Sequence, residues 1–126
     1  MSDLKKILYA EDEIDIQSIA QIALESVGGF TLQICSSGKE VLEKINSFHP
    51  DMLLLDVMMP EMDGPTTLKE VRKISEFADL PVVFMTAKVQ PTEVQELKAM
   101  GALDVISKPF DPMLLSDQIK KIWESK

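Results

Sequence analysis

One cysteine, one histidine, one tyrosine, one tryptophan and five glycines in 126 residues leave little of what several protein classes require. Cys35 alone forms no internal disulfide, and Cys35 with His49 falls short of the about four ligands of a structural zinc site. A reducing, cytoplasmic compartment fits best. Basic residues are also scarce, with 13 Lys and Arg against 21 Asp and Glu and a net charge of −8. A field of that sign repels phosphate backbones and anionic lipid, so no direct nucleic-acid or membrane binding is expected. No apolar run approaches the ~18 residues of a membrane span, and the apolar stretch between Lys6 and Glu11 is too short for a signal-peptide core. What is present is ordinary for a soluble globular chain: 45% hydrophobic and 27% charged residues, too apolar for intrinsic disorder. The length suits one domain with one core over residues 1–126.

Two patterns alternate along the chain. Ile7 to Ala10 reads as a strand, and Ile16, Ile19, Ala20, Ala23 and Val27 then recur as on one helix face, ended by Gly28 and Gly29. Phe30, Leu32 and Ile34 alternate with polar or smaller residues, the period of a strand at a sheet edge. Ser37 with Glu40 predicts a capping box for a helix that buries Val41, Leu42, Ile45 and Phe48 and stops at Pro50. Met52 to Leu55 and Val82 to Met85 are continuously apolar, as in strands covered on both faces of a parallel sheet. Between and after them, helices are expected near Pro65 (with Leu68, Val71 and Ile74 inside) and near Pro91 (with Val94, Leu97 and Met100 inside). Val105 and Ile106 make a short last strand, and Asp111 is expected to cap a final helix at Pro112. About five strand-then-helix cycles predict a doubly wound α/β fold with a parallel sheet and helices on both faces. No linker or low-complexity tract interrupts the pattern, and with the sequence ending soon after Trp123 no output domain is expected.

The informative polar residues stand where predicted strands end. Glu11 and Asp12 follow the first, Asp56 the third, Thr86 the fourth and Lys108 the fifth, at the edge where open α/β sheets bind ligands. Singly, each has an ordinary structural reading: Asp12 as a helix cap, Glu11 as a complement to the helix dipole, Asp56 as a turn opener, Thr86 and Lys108 as surface residues. Their convergence on one edge favours function. Carboxylates without imidazole or thiolate suit a hard cation such as Mg²⁺. A carboxylate can attack phosphorus while a metal offsets the repulsion between two anions, and a lysine and a hydroxyl can hold the other phosphoryl oxygens. Asp56, flanked by the acid pair and Thr86 at the end of a central strand, is the expected nucleophile, with Thr86 and Lys108 assisting.

The motifs Ala10-Glu11-Asp12-Glu13, Leu55-Asp56-Val57-Met58-Met59-Pro60 with Gly64 beyond, Met85-Thr86-Ala87 and Lys108-Pro109-Phe110 occur in this order. Together they resemble the receiver domains of two-component response regulators over essentially the whole chain. The resemblance implies a flavodoxin-like, five-stranded sheet of order 2-1-3-4-5 with five helices; the strand order of this family is a worked example of the general rule. It further implies a signalling domain rather than an enzyme, one that catalyses only its own phosphorylation and dephosphorylation. Asp56 would take a phosphoryl group from a sensor histidine kinase, Glu11, Asp12, Asp56 and the Met58 carbonyl would hold Mg²⁺, and Thr86 and Lys108 would bind phosphoryl oxygens. The downstream partner would be a protein target or, if the domain is a relay, a histidine phosphotransfer protein.

Ala87, Lys88, Met58 and Val105 are the expected modulating positions. Met58 and Lys88, two residues past Asp56 and Thr86, carry no carboxylate or amide to orient an attacking water, so slow hydrolysis is expected. Val105 stands where relatives commonly place an aromatic, so no aromatic switch is expected. Met58, Met59 and Met62 read as packing and loop residues, His49 as a surface residue and Cys35 as buried and inert. Two other functions fit less well. A haloacid-dehalogenase-type phosphatase would have an acid where Met58 stands, and a flavin carrier would need a phosphate-binding loop where Glu11-Asp12-Glu13 would repel the phosphate.

Overall fold

The computed structural model describes residues 3–126. Five strands, β1 (Lys6–Ala10), β2 (Thr31–Cys35), β3 (Met52–Asp56), β4 (Val82–Thr86) and β5 (Asp104–Ser107), form one parallel sheet of order β2-β1-β3-β4-β5. The helices are α1 (Ile14–Gln21), α2 (Gly38–Phe48), α3 (Gly64–Arg72), α4 (Pro91–Ala99) and α5 (Leu115–Ser125). Central strands β3 and β4 are buried at every position, which is why their sequences show no polar alternation. Alternate residues feed two cores. Leu8, Leu53, Leu55 and Phe84 face α2, α3 and α4 through Val41, Ile45, Leu68, Val71 and Leu97. Ile7, Tyr9, Leu54, Val83 and Met85 face the other layer through Ala20, Leu24, Leu115 and Ile119.

The first helix departs from the expected face. Beyond Gln21 the chain widens into a π-helical segment, Ile22–Val27, and Leu24 is buried while Val27 is exposed. Bonding from i to i+5 puts more residues in each turn, so the 3.6-residue pattern drifts off the core. The wide turn is secured from α5: the buried Ser116 hydroxyl donates to the Ala23 carbonyl at 2.6 Å, and the Gly28 N–H donates to the same carbonyl at 3.1 Å. A Cβ on Gly28 would lie 2.2 Å from Ser116 Oγ.

Other elements begin close to their sequence signals. Ser37 Oγ accepts the Glu40 N–H, but Glu40 returns its bond to the N–H of Ser36 rather than of Ser37. Asp63 Oδ1 caps α3 by accepting the Thr66 N–H, one residue before Gly64 and two before Pro65. Ile74 lies beyond α3, followed by a short 3₁₀ turn, Ser75–Phe77, that buries Phe77. The last helix starts at Leu115, not Pro112. Asp111 caps the preceding turn instead, its carboxylate accepting the Met113 N–H and its carbonyl the N–H groups of Leu114 and Leu115. Among the described residues, no helix is long and apolar enough to cross a membrane.

Candidate functional site

Glu11 sits immediately past β1, where its N–H still pairs with the Cys35 carbonyl of β2, and its side chain is fully buried. Being two residues from Tyr9, it points to the same side of the sheet, and the Tyr9 hydroxyl donates to its Oε1 at 3.3 Å. Burial, then the Glu11 charge, pushes the Tyr9 phenol pKa upward, so Tyr9 stays a neutral donor. The Glu13 N–H donates to Oε2, and the Gln17 side-chain amide donates to the Glu11 carbonyl and to Ser36 Oγ. Glu11 is thereby fixed in orientation.

Asp56 ends β3 with 3% of its surface exposed. Glu11, Asp12 and Asp56 each offer a carboxylate oxygen within 4.8 Å of the others. Lys108 bridges two of the three, its Nζ lying 3.0 Å from Glu11 Oε1 and 3.2 Å from Asp56 Oδ1. Asp56 is pushed up to about 6 from an ordinary 3.8, chiefly by burial and then by the Glu11 charge, against the opposing pull of Lys108. Burial lowers the Lys108 pKa, but the Glu11 hydrogen bond and the two carboxylate charges outweigh it and raise the net value. One ammonium therefore serves a cluster of three acids. The oxygen-only donor set fits a hard divalent ion and offers nothing to a soft one.

Three further contacts frame the edge. Thr86 is buried at the end of β4, and its hydroxyl accepts the Lys88 N–H at 3.0 Å. Lys108 donates its backbone N–H to the Thr86 carbonyl, tying the β5 loop to β4, and the following Lys108–Pro109 peptide is cis. At Gly64, a Cβ would lie 2.5 Å from the Asp56 carbonyl oxygen, so only glycine lets α3 approach the loop after Asp56 this closely. Met58 lies in that loop with an exposed side chain, Met59 is buried and Met62 lies over Gly38. Ala87 and Lys88 are exposed, and Val105 is half-buried against the core of the α2–α4 face. Cys35 is buried, and burial pushes its thiol up to about 12, whereas His49 is exposed and pairs with Glu76 at 2.9 Å.

The structure thus brings together Glu11, Asp12, Asp56 and Lys108, with Thr86 on the adjoining strand. The support from Tyr9 and Gln17 went unread in the sequence. The two-residue spacing of Tyr9 and Glu11 on a strand was the available signal for the first; Gln17 leaves none, because its partners meet only after α1 packs beside β2.

Fold and site define a class: a doubly wound α/β domain whose strand ends carry three clustered acids, two of them buried and bridged by a lysine and the third, Asp12, at the surface. Residues 7–120 match the family model described as the response regulator receiver domain, and the chain belongs to that family. It is accordingly the receiver domain of a two-component response regulator, a signalling domain rather than a conventional enzyme. The chemotaxis protein CheY4 of Vibrio cholerae superposes with a TM-score of 0.87 at 30% identity, covering 95% of this chain and 99% of that one. The N-terminal domain of a response regulator receiver protein from Methanoculleus marisnigri is 35% identical, with a TM-score of 0.76 and coverage of 94% and 96%. Among curated proteins, the transcriptional regulatory protein CpxR homolog of Haemophilus influenzae is 35% identical over 119 residues, covering 94% of this chain and 50% of that protein. The PhoP regulator of alkaline phosphatase synthesis in Bacillus subtilis is 34% identical over 118 residues, with coverage of 94% and 48%. The chain spans about half the length of these two relatives.

Proposed function

We propose that this domain accepts a phosphoryl group on Asp56 from the phosphohistidine of a sensor kinase, and that the modified domain changes its affinity for a protein partner. The observation that carries the reading is the convergence of Glu11, Asp12 and Asp56 within 4.8 Å, with Lys108 bridging Glu11 and Asp56. Glu11, Asp12, Asp56 and the Met58 carbonyl would hold Mg²⁺, which when bound would neutralise charge on the phosphoryl oxygens and on the carboxylates.

The chain's own residues carry the rest. An Asp56 oxygen attacks phosphorus as the bond from phosphorus to the histidine nitrogen breaks, and the electron pair stays on that nitrogen. Lys108 neutralises Asp56 before attack and can follow the charge onto a phosphoryl oxygen afterwards. Thr86 has a free hydroxyl proton, since its oxygen is the acceptor in the bond from Lys88, and can donate it to a second phosphoryl oxygen. Glu11, held by Tyr9 and Glu13, would be kept in place as a ligand for the cation.

The donor would reach Asp56 across the face beside α1. Ile14, Ile19, Ile22, Met113 and Leu114 are exposed there, and a groove of about 630 Å³ that includes Ile16, Phe110 and Pro112 shares Lys108 with the site. A histidine-bearing helix covering that apolar band would stand next to Asp56. The single, buried cysteine fits a cytoplasmic setting.

The test is intact-mass measurement after incubation with acetyl phosphate and Mg²⁺. One phosphoryl group is expected on the native chain and none on Asp56→Asn; full labelling of that variant would move the nucleophile elsewhere. A relay that passes the group to a histidine phosphotransfer protein uses the same Asp56 chemistry and is distinguished by transfer of label to such a protein.

A further inference from the structure

Helix α4 begins after Gln90, whose side chain makes no capping bond. Glu93 stands three residues on, the position from which a carboxylate in a capping box reaches back to the N-cap N–H. Its Oε2 is instead buried with no hydrogen-bond partner among the described residues. A carboxylate oxygen sealed from water without a donor is costly, and nothing in the receiver chemistry employs this one.

Around it lies a cleft of about 400 Å³, walled by Val57, Met58, Pro65, Leu97 and Met100 and bordered by Glu96, Thr86 and Lys88. Apolar walls bordered by two carboxylates, Glu93 and Glu96, match a side chain that has an aliphatic stem and a cationic head. Guanidinium suits the place better than ammonium, because it is planar, less strongly hydrated and able to bond both carboxylate oxygens.

We propose that this cleft docks an arginine side chain of a protein partner, its stem along Met58 and Leu97 and its guanidinium on the Glu93 carboxylate, which turns Oε2 out of its buried position to meet it. Charge complementarity selects the occupant: Glu93 and Glu96 both border the cleft, on a chain of net charge −8. Lys88 is the internal competitor. It lines the same cleft but gives Oε2 no hydrogen bond, and its like charge opposes the arriving arginine. The coupling to signalling rests on the proposed role of Asp56. A phosphoryl group there would draw the Lys88 ammonium toward it, past Thr86, and so remove the repulsion from the cleft. Docking is then favoured by phosphorylation without any aromatic switch.

The experiment is a titration of the ¹⁵N-labelled chain with n-butylguanidinium, followed by amide chemical shifts. Saturable shifts are expected at Met58, Glu93 and Leu97, with affinity about tenfold weaker in Glu93→Gln, since a charge-assisted bond is lost. Glu96→Gln should change it by less than about twofold, the value of an exposed charge. Lys88→Ala should tighten it. No saturable shift in the cleft, or equal affinity in native and Glu93→Gln protein, overturns the proposal. Beryllofluoride with Mg²⁺ should tighten binding to the native chain and leave Lys88→Ala unchanged. If Asp56 takes the phosphoryl group normally and the beryllofluoride response is flat, the coupling is overturned. If Asp56 is not modified at all, the receiver chemistry fails while binding of the probe alone still supports the cleft.

Discussion

Lys108 Nζ lies 3.0 Å from an oxygen of Glu11, a residue with no exposed surface, and the two are separated by 97 positions in the chain. The pair closes the site from β1 to β5 across the two intervening strands, β3 and β4. Removing the ammonium leaves Glu11, among the described residues, with only neutral donors, the Tyr9 hydroxyl and the Glu13 N–H. Lys108→Ala should therefore destabilise the metal-free fold by about 2–3 kcal/mol, somewhat under the usual cost of breaking a buried pair because Lys108 is partly exposed. Urea unfolding in chelator measures it, and millimolar Mg²⁺ should return part of the loss. An unchanged midpoint would mean that the pair contributes nothing.

Mg²⁺ should raise the melting temperature of the native chain. A cation that binds the crowded acids only when they are assembled stabilises the fold by mass action, by about 1.4 kcal/mol at ten times its dissociation constant. Asp12→Ala removes one of the three carboxylates and should cut this increment at a fixed Mg²⁺ concentration. A melting temperature indifferent to Mg²⁺ would contradict the site.

The elevated pKa of Asp56 gives the metal-free protein a distinctive pH profile. Its carboxyl is near 3.8 when unfolded and about 6 when folded, so between these values the folded state holds the extra proton. Stability from this group is complete below about pH 4, declines as pH rises through about 6, and is then flat; the two-unit shift caps the loss at about 3 kcal/mol. The difference in unfolding free energy between native protein and Asp56→Asn, taken from about pH 4 to about pH 7 in chelator, isolates the effect. Mg²⁺ favours the ionised carboxylate and should flatten the decline. A difference independent of pH would show that Asp56 titrates normally.

Gly64→Ala should cost about 1–3 kcal/mol, the usual penalty for overpacking. The added carbon would meet backbone, the Asp56 carbonyl oxygen at 2.5 Å and Val57 Cα at 3.0 Å, with no flexible side chain to yield. Because the strain falls on Asp56, the proposed phosphoryl acceptor, labelling by acetyl phosphate should slow as well. A stability loss with normal labelling would confine Gly64 to packing.

The legibility of this protein in its sequence follows the range of the interactions. The doubly covered strands were readable in Met52 to Leu55 and Val82 to Met85, and the edge character of β2 in Thr31 and Gln33, whereas the strand order came from the family resemblance and the single core expected from chain length is two, one on each face of the sheet. The acids and Lys108 were readable because strand ends converge in this topology. The π-helical segment was not, since it depends on Ser116 reaching Ala23 from 93 positions away. Glu93 gave no signal in the sequence; its unpartnered oxygen shows only in the folded chain, where it lines a cleft with Met58 and Leu97.

The response to phosphorylation should travel by backbone movement rather than by an aromatic rotamer. The Thr86 hydroxyl oxygen holds the Lys88 N–H at 3.0 Å, so a turn of that hydroxyl toward a phosphoryl group on Asp56 must loosen the loop leading to α4. Val105, paired with Phe84 across β4 and β5, is β-branched and short, with one favoured rotamer and no ring to swing between solvent and core. Amide shifts recorded with and without beryllofluoride should change from Thr86 through Lys88 and Val94, and Val105→Ala should preserve most of those changes. Thr86→Ala removes the hydroxyl and should abolish those at Lys88 and Val94 while leaving those at Asp12 and Asp56. Shifts confined to Asp12 and Asp56 in the native chain would favour the relay, because passing a phosphoryl group onward requires an accessible Asp56 and no movement of α4.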